Sequence, residues 1–196
     1  MESYLSSINY VPSSYKLLTS FREPISHFFS AMGQIIGDTT HTAHQHSTWE
    51  EIIRSQTEGN AYYYPLKNFQ MHFLLQSQDL DNGARLISTL KPRREEVRKA
   101  LSSVYWFALT SEVTLSYALL QCQEFGTVNR ELLEHILHVP HENERASDKM
   151  ENMSEKLMKD VYHLIADDVR FYELVVSEFW RRIDSHKDCL SQVLDY

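Results

Sequence analysis

The sequence contains no run approaching the roughly 18 consecutive apolar residues that a membrane-spanning helix requires. Its first residues, Met1-Glu2-Ser3-Tyr4, show neither the basic region nor the apolar stretch of a signal peptide, so no membrane anchor is expected in it. A basic stripe is also missing. The 19 Lys and Arg are scattered among 27 Asp and Glu, and a net charge of −8 argues against a protein that neutralises many nucleic-acid phosphates. The longest basic run, Lys91-Pro92-Arg93-Arg94, is followed at once by Glu95 and Glu96 and reads as a solvated helix start. Low-complexity tracts, internal repeats and flexible linkers are absent, which excludes a solenoid and an extended disordered chain. Cysteine is scarce. Cys122 and Cys189 could close one bridge at most and fit no zinc spacing; they are expected as two buried thiols that leave the redox compartment undecided.

What the sequence does have is an ordinary globular composition, 42% hydrophobic and 12% aromatic over 196 residues. A chain of that length buries roughly two-thirds to 70% of its unfolded surface on folding, enough for one core without staples. One domain over residues 1–196 is expected.

The segment Tyr15 to Phe21 reads as a strand leading into Arg22-Glu23-Pro24. Pro24 suits a first helical position, where its missing N–H costs nothing. Ile25, Phe28, Phe29, Met32 and Ile36 then recur three or four apart on one face until Gly37 stops the helix. Ser47-Thr48-Trp49-Glu50 fits a capping box for a helix to about Gln56, with Ser47 as the cap. After the aromatic stretch Tyr62-Tyr63-Tyr64-Pro65, the segment Asn68 to Leu75 is compatible with either helix or strand. A helix is expected from Pro92 through Leu101, and Val104 to Leu109 reads as a buried, parallel central strand because β-branched and aromatic residues crowd a short run. Glu112 to Gln123 and Asn129 to Leu137 are helical in pattern, Asn129 being an N-cap and Pro140 a stop. From Ser154 to Lys187 the apolar residues keep helical spacing through one or two long helices. Two or three strands embedded in many helices define a helix-rich α/β domain.

The most informative constellation is Arg22 at a strand end with Ser30 two turns along the following helix. A guanidinium fork and a hydroxyl near a helix N-terminus suit a phosphate monoester, which takes bidentate charged hydrogen bonds and a favourable dipole. The plain structural alternative has Arg22 pairing with a carboxylate and Ser30 as a small packing residue. His27 lies between them, as a candidate facing the site or as a residue at the helix boundary. His41, His44 and His46, and His135, His138 and His141, have spacings that zinc accepts, but with no cysteine or fixed carboxylate beside them no metal is assigned. Asn152-Met153-Ser154 is a glycosylation sequon. No Ser-His-acid or Cys-His signature of nucleophilic catalysis occurs.

The stretch Tyr15 to Ala31, with Arg22, Pro24 and Ser30, resembles the 3′-phosphate motif of sulfotransferases that use 3′-phosphoadenosine 5′-phosphosulfate (PAPS). Further pieces resemble the galactose 3-O-sulfotransferase branch in order: Lys67-Asn68 before an aromatic segment, a strand like Tyr105 to Leu109, and the helix Ser116 to Leu120. Leu132 to Leu137 followed by Asn143-Glu144-Arg145 comes next, then Asp168 to Tyr172 and Phe179 to Ile183. The resemblance implies an α/β fold related to P-loop kinases and PAPS as donor, with no metal. It also implies transfer of sulfate to the 3-hydroxyl of a galactose-terminated glycolipid or glycan, in the Golgi lumen or at the Golgi membrane. It gives Arg22 and Ser30 the 3′-phosphate.

The sequence departs from that pattern in three places. The family's N-terminal strand and phosphosulfate loop belong well before Arg22, and the 21 residues there are not expected to hold them. Phe73-Leu74-Leu75-Gln76 stands where the branch tends to have Asp and Gly, and Ser111 stands where an acidic residue is usual. No catalytic base is assigned, although sulfuryl transfer needs one to deprotonate the acceptor and cations to stabilise the transferring group. Two readings follow: an active PAPS-dependent sulfotransferase, or an N-terminally truncated, catalytically inactive relative that serves as a helical interaction domain.

Overall fold

Two four-residue strands anchor the architecture. β1 (Leu18–Phe21) and β2 (Trp106–Leu109) run parallel, with Leu18 opposite Trp106 and Phe21 opposite Leu109. All four β2 residues are buried, as the apolar run at Trp106 to Leu109 requires of a central parallel strand. In β1 Leu18 and Ser20 are exposed and Phe21 is buried. These relations come from a computed structural model that describes residues 16–37, 48–57, 68–75, 93–137 and 153–191.

Helices fill the rest of the described chain: α1 (Pro24–Gly37), α2 (Trp49–Thr57), α3 (Phe69–Leu75), α4 (Arg94–Ser103), α5 (Val113–Phe125), α6 (Arg130–Leu137), α7 (Glu155–Leu164), α8 (Ala166–Ser185) and α9 (Lys187–Leu190). The chain is a helix-rich α/β protein. The segment that sequence left between helix and strand is α3, preceded by Asn68 in the left-handed region at φ 51°. The tail is two long helices rather than one, with Ser154 capping α7 through Leu157 N–H at 3.3 Å.

Two apolar clusters hold these elements together. The larger surrounds the sheet, joining Phe21, Phe107 and Leu109 to Leu101 of α4, Leu119 of α5, and Phe171, Val175 and Phe179 of α8. Phe21 meets Phe107 and Phe171 edge-on, with ring centres 5.5 and 5.3 Å apart, the preferred quadrupole geometry. The smaller cluster buries Phe28, Phe29 and Met32 of α1 against Ile52 and Ile53 of α2 and Val161 and Leu164 of α7. With Ile25 packed against the cluster, this is the apolar face expected of α1 apart from Ile36, whose side chain lies outside the described residues.

Three expectations are corrected. The capping box at α2 is formed by Thr48 and Glu51: Thr48 Oγ1 accepts from Glu51 N–H at 3.2 Å, and Glu51 accepts from Thr48 N–H at 2.7 Å. The frame lies one residue later than Ser47-Glu50 because Trp49 is the first helical residue. The basic-run helix starts at Arg94, where Glu96 reaches back to the Arg93 N–H at 2.9 Å; Pro92 lies outside the described residues. Cys122 and Cys189 are not thiols. Packing of α9 on α5 brings their Cα atoms to 6.0 Å, across 67 residues of sequence, and the two sulfurs are bonded.

Candidate functional site

The turn between β1 and α1 is built by side chains that substitute for missing backbone partners. Gln70 of α3 accepts from Arg22 N–H at 2.9 Å and donates to Arg22 C=O at 2.8 Å, continuing the ladder where β1 ends. Glu23 then caps α1, its two carboxylate oxygens accepting from Ile25 N–H at 3.0 Å and Ser26 N–H at 2.7 Å. Two of the N–H groups that an anion would meet at this helix start are therefore already taken by a carboxylate.

Arg22 is half-buried, and its bonds among the described residues run through its backbone. Its charge acts on His27, whose pKa lies below the ordinary histidine value, first because of burial and second because of Arg22. Ser30 is half-buried three residues further on. Ser26, His27, Ser30 and Gly33 share the face of α1 opposite Phe28, Phe29 and Met32, as residues three and four apart must. His27 and Ser30 thus share one face of α1, which follows Arg22 in the chain, and the open space beside Gly33 continues that face.

Two further blocks singled out in the sequence meet here. Asn68 Oδ1 accepts from Asp167 N–H at 3.0 Å and Asp168 N–H at 3.2 Å, capping α8. In return the buried Asp168 carboxylate accepts from Gln70 N–H at 3.1 Å and Met71 N–H at 2.8 Å, capping α3. Each helix start thus carries a cap contributed by the other, and the same Gln70 ties the pair to Arg22. At the far end of α8, buried Arg182 donates to the carbonyls of Leu101, Val104 and Tyr105 at 3.0–3.1 Å and to Glu178 at 2.9 Å. Its guanidinium also lies 4.7 Å from the centre of the Phe107 ring.

A hollow of about 670 Å³ opens between α3, α4 and α8, with Asn68, Met71, Arg94, Val97, Arg170 and Phe171 among its walls. Arg22 and Ser30 do not line it. Ser111 is exposed, and Glu112 accepts at its backbone carbonyl from Ser116 N–H and Ser116 Oγ. Among the described residues no group of three or more His, Cys, Asp or Glu stands together as a metal site. His135 is exposed in the last turn of α6, while His41, His44, His46, His138 and His141 fall outside the described residues.

The chain matches no family model, no curated protein and no solved structure. Sequence reasoning named Arg22, Ser30 and the Asn68 and Asp168 blocks but missed Gln70, Glu178 and the part played by Arg182. Gln70 meets Arg22 and Asp168 across 48 and 98 residues, and Arg182 meets carbonyls 77 to 81 residues away, so no local pattern marks those contacts, whereas Glu178 stands three and four residues before Arg181 and Arg182, a helical spacing that sequence does carry.

Proposed function

We propose that this chain is a sulfotransferase-like protein of the galactose 3-O-sulfotransferase kind, with Arg22 and Ser30 holding the 3′-phosphate of PAPS. The observation that carries the reading is the order strand, arginine, helix, serine, with Ser30 on the face of α1 away from its apolar residues. The parallel pairing of β1 with β2 supports it, because open parallel sheets bind ligands beyond the carboxyl ends of their strands, and Arg22 follows the last residue of β1. Further support comes from Asn68 and Asp168, distant pieces of the same resemblance: Asn68 accepts from Asp168 N–H, and Asp168 accepts from Gln70, the residue that holds Arg22. The disulfide agrees with an oxidising lumen such as that of the secretory pathway. Sulfate would pass to the 3-hydroxyl of galactose on a glycolipid or glycan.

The reading is tested by calorimetric titration with 3′-phosphoadenosine 5′-phosphate, together with assay of sulfate transfer to galactosylceramide. Arg22→Ala should weaken nucleotide binding on the order of a hundredfold or more, since a bidentate charged contact is lost. The fold should survive, because the bonds of Arg22 to Gln70 are made by its backbone. Absence of binding by folded wild-type chain would overturn the reading.

Two observations favour the alternative of a non-catalytic interaction domain. Glu23 already occupies the start of α1, and Leu18 of β1 is 50% exposed beside the sheet. Transfer activity in the assay decides against that alternative.

A further inference from the structure

We propose that the outer edge of β1 pairs with the same edge of a second copy of this chain, antiparallel about a two-fold axis at Leu18. This pairing does not depend on the sulfotransferase reading. Its basis is the direction of the backbone groups. Leu17 C=O accepts from Trp106 N–H at 3.3 Å and Phe21 C=O accepts from Thr110 N–H at 3.0 Å, so Leu17, Thr19 and Phe21 face β2. Lys16, Leu18, Ser20 and Arg22 alternate with them and direct their N–H and C=O groups outward. At Arg22 those groups are met by the Gln70 amide, which stands where a neighbouring strand would. Among the described residues the sheet ends at β1, and Leu18 and Ser20 are exposed there.

An open edge is a template for another chain, and proteins commonly guard it with lysine or proline. Here the lysine charge is already neutralised: Lys16 Nζ donates to the two Glu124 carboxylate oxygens at 2.6 and 2.7 Å and lies 4.2 Å from the centre of the Tyr105 ring. The residues of the edge also select its occupant. A two-fold axis at Leu18 sets Leu18 against Leu18 of the second copy, covering a side chain that is otherwise 50% exposed, and sets Lys16 against Ser20 in both directions. That register brings no like charges opposite each other and stops before Arg22, whose outward groups Gln70 holds. An axis at Thr19 would instead oppose Lys16 to Arg22. A four-residue edge falls short of the roughly 1,000 Å² that a stable interface buries, so the dimer is expected to be weak and reversible. With a net charge of −8 on each chain, it should tighten as salt rises.

The test is sedimentation equilibrium of the full chain over a range of concentrations, with Ser20→Pro alongside wild type. Ser20 N–H points away from β2, so proline there leaves the β1–β2 ladder intact and removes a donor from the open edge. Wild type should dimerise, and Ser20→Pro, with its fold checked by circular dichroism, should stay monomeric. Leu18→Cys reads the register directly. Hydrogen-bonded antiparallel partners have Cα atoms about 5.5 Å apart, within reach of a disulfide, so two copies should cross-link through that position under mild oxidation. Ser20→Cys, which faces Lys16 in this register, should not. Both native cysteines are bonded to each other, so the added thiol is the reactive one. The two cysteine variants decide the matter alone if Ser20→Pro fails to fold. Wild type that stays monomeric up to about 1 mM overturns the proposal. So does a dimer that persists in folded Ser20→Pro, or one in which Leu18→Cys cross-links no faster than Ser20→Cys.

Discussion

Arg182 shows how a single side chain can fix the ends of several elements. Its fork satisfies carbonyls at the end of α4 and the entry to β2, which a lysine ammonium on a flexible stem cannot reproduce. Replacing it with methionine should cost about 3 kcal/mol, the lower end of the range for breaking a buried pair, because Glu178 keeps its bond to Arg181 and is partly solvated. Arg182→Lys should recover only part of that loss in urea denaturation. Glu178 titrates below the ordinary carboxylate value, chiefly through Arg181 and then Arg182. Its contribution is present above pH 4.5 and is lost as pH falls through the lowered value in the folded chain. His27 acts in the same direction in a higher window. Because its folded pKa is lowered, stability is full above 6.5 and is lost as pH falls from there through the lowered value. Urea midpoints at about pH 7.5 and about pH 5.5 should differ less in His27→Gln than in wild type.

At the scale of elements, the reciprocal caps of α3 and α8 make a testable pair. Asn68→Ala removes a cap and places a side chain with a Cβ and no local hydrogen bond at φ 51°, so about 1 kcal/mol of left-handed strain adds to about 1 kcal/mol of lost capping. Asn68→Gly keeps the backbone conformation and should cost clearly less. Asp168→Ala leaves the Gln70 and Met71 N–H groups without that carboxylate in a buried setting, a loss of about 1–3 kcal/mol. The double variant should fall short of the sum by at least about 0.5 kcal/mol, because each residue positions the other. Strict additivity in chemical denaturation would show that the two caps act independently. Ser116 works similarly between β2 and α5, accepting from Leu109 N–H at 3.0 Å and donating to Glu112 C=O at 2.7 Å. It was legible in sequence only as one small residue in a helix.

At the scale of the whole molecule, the Cys122–Cys189 bridge closes a 67-residue span of chain that includes α6, α7 and α8. Cross-linking a loop of that length constrains the unfolded chain by about 4 kcal/mol on the chain-entropy account, so a Cys122→Ser, Cys189→Ser double variant should lose up to about that much. A denaturation midpoint unchanged by reductant would contradict it. The sequence by itself determined the apolar faces of α1, α7 and α8, the buried strand β2, the Asn129 cap and the placing of Arg22 and Ser30 around Pro24, because each rests on periodicity or on residues within one turn. It left α3 open between helix and strand because seven residues are too few for period to decide, and Asp168, nearly a hundred residues away, caps its start. The disulfide, the Gln70 bridge to Arg22 and the carbonyl fork of Arg182 were decided only by tertiary structure. Each joins groups brought within bonding distance by the packing of helices on a parallel sheet, a distance that sequence spacing does not encode.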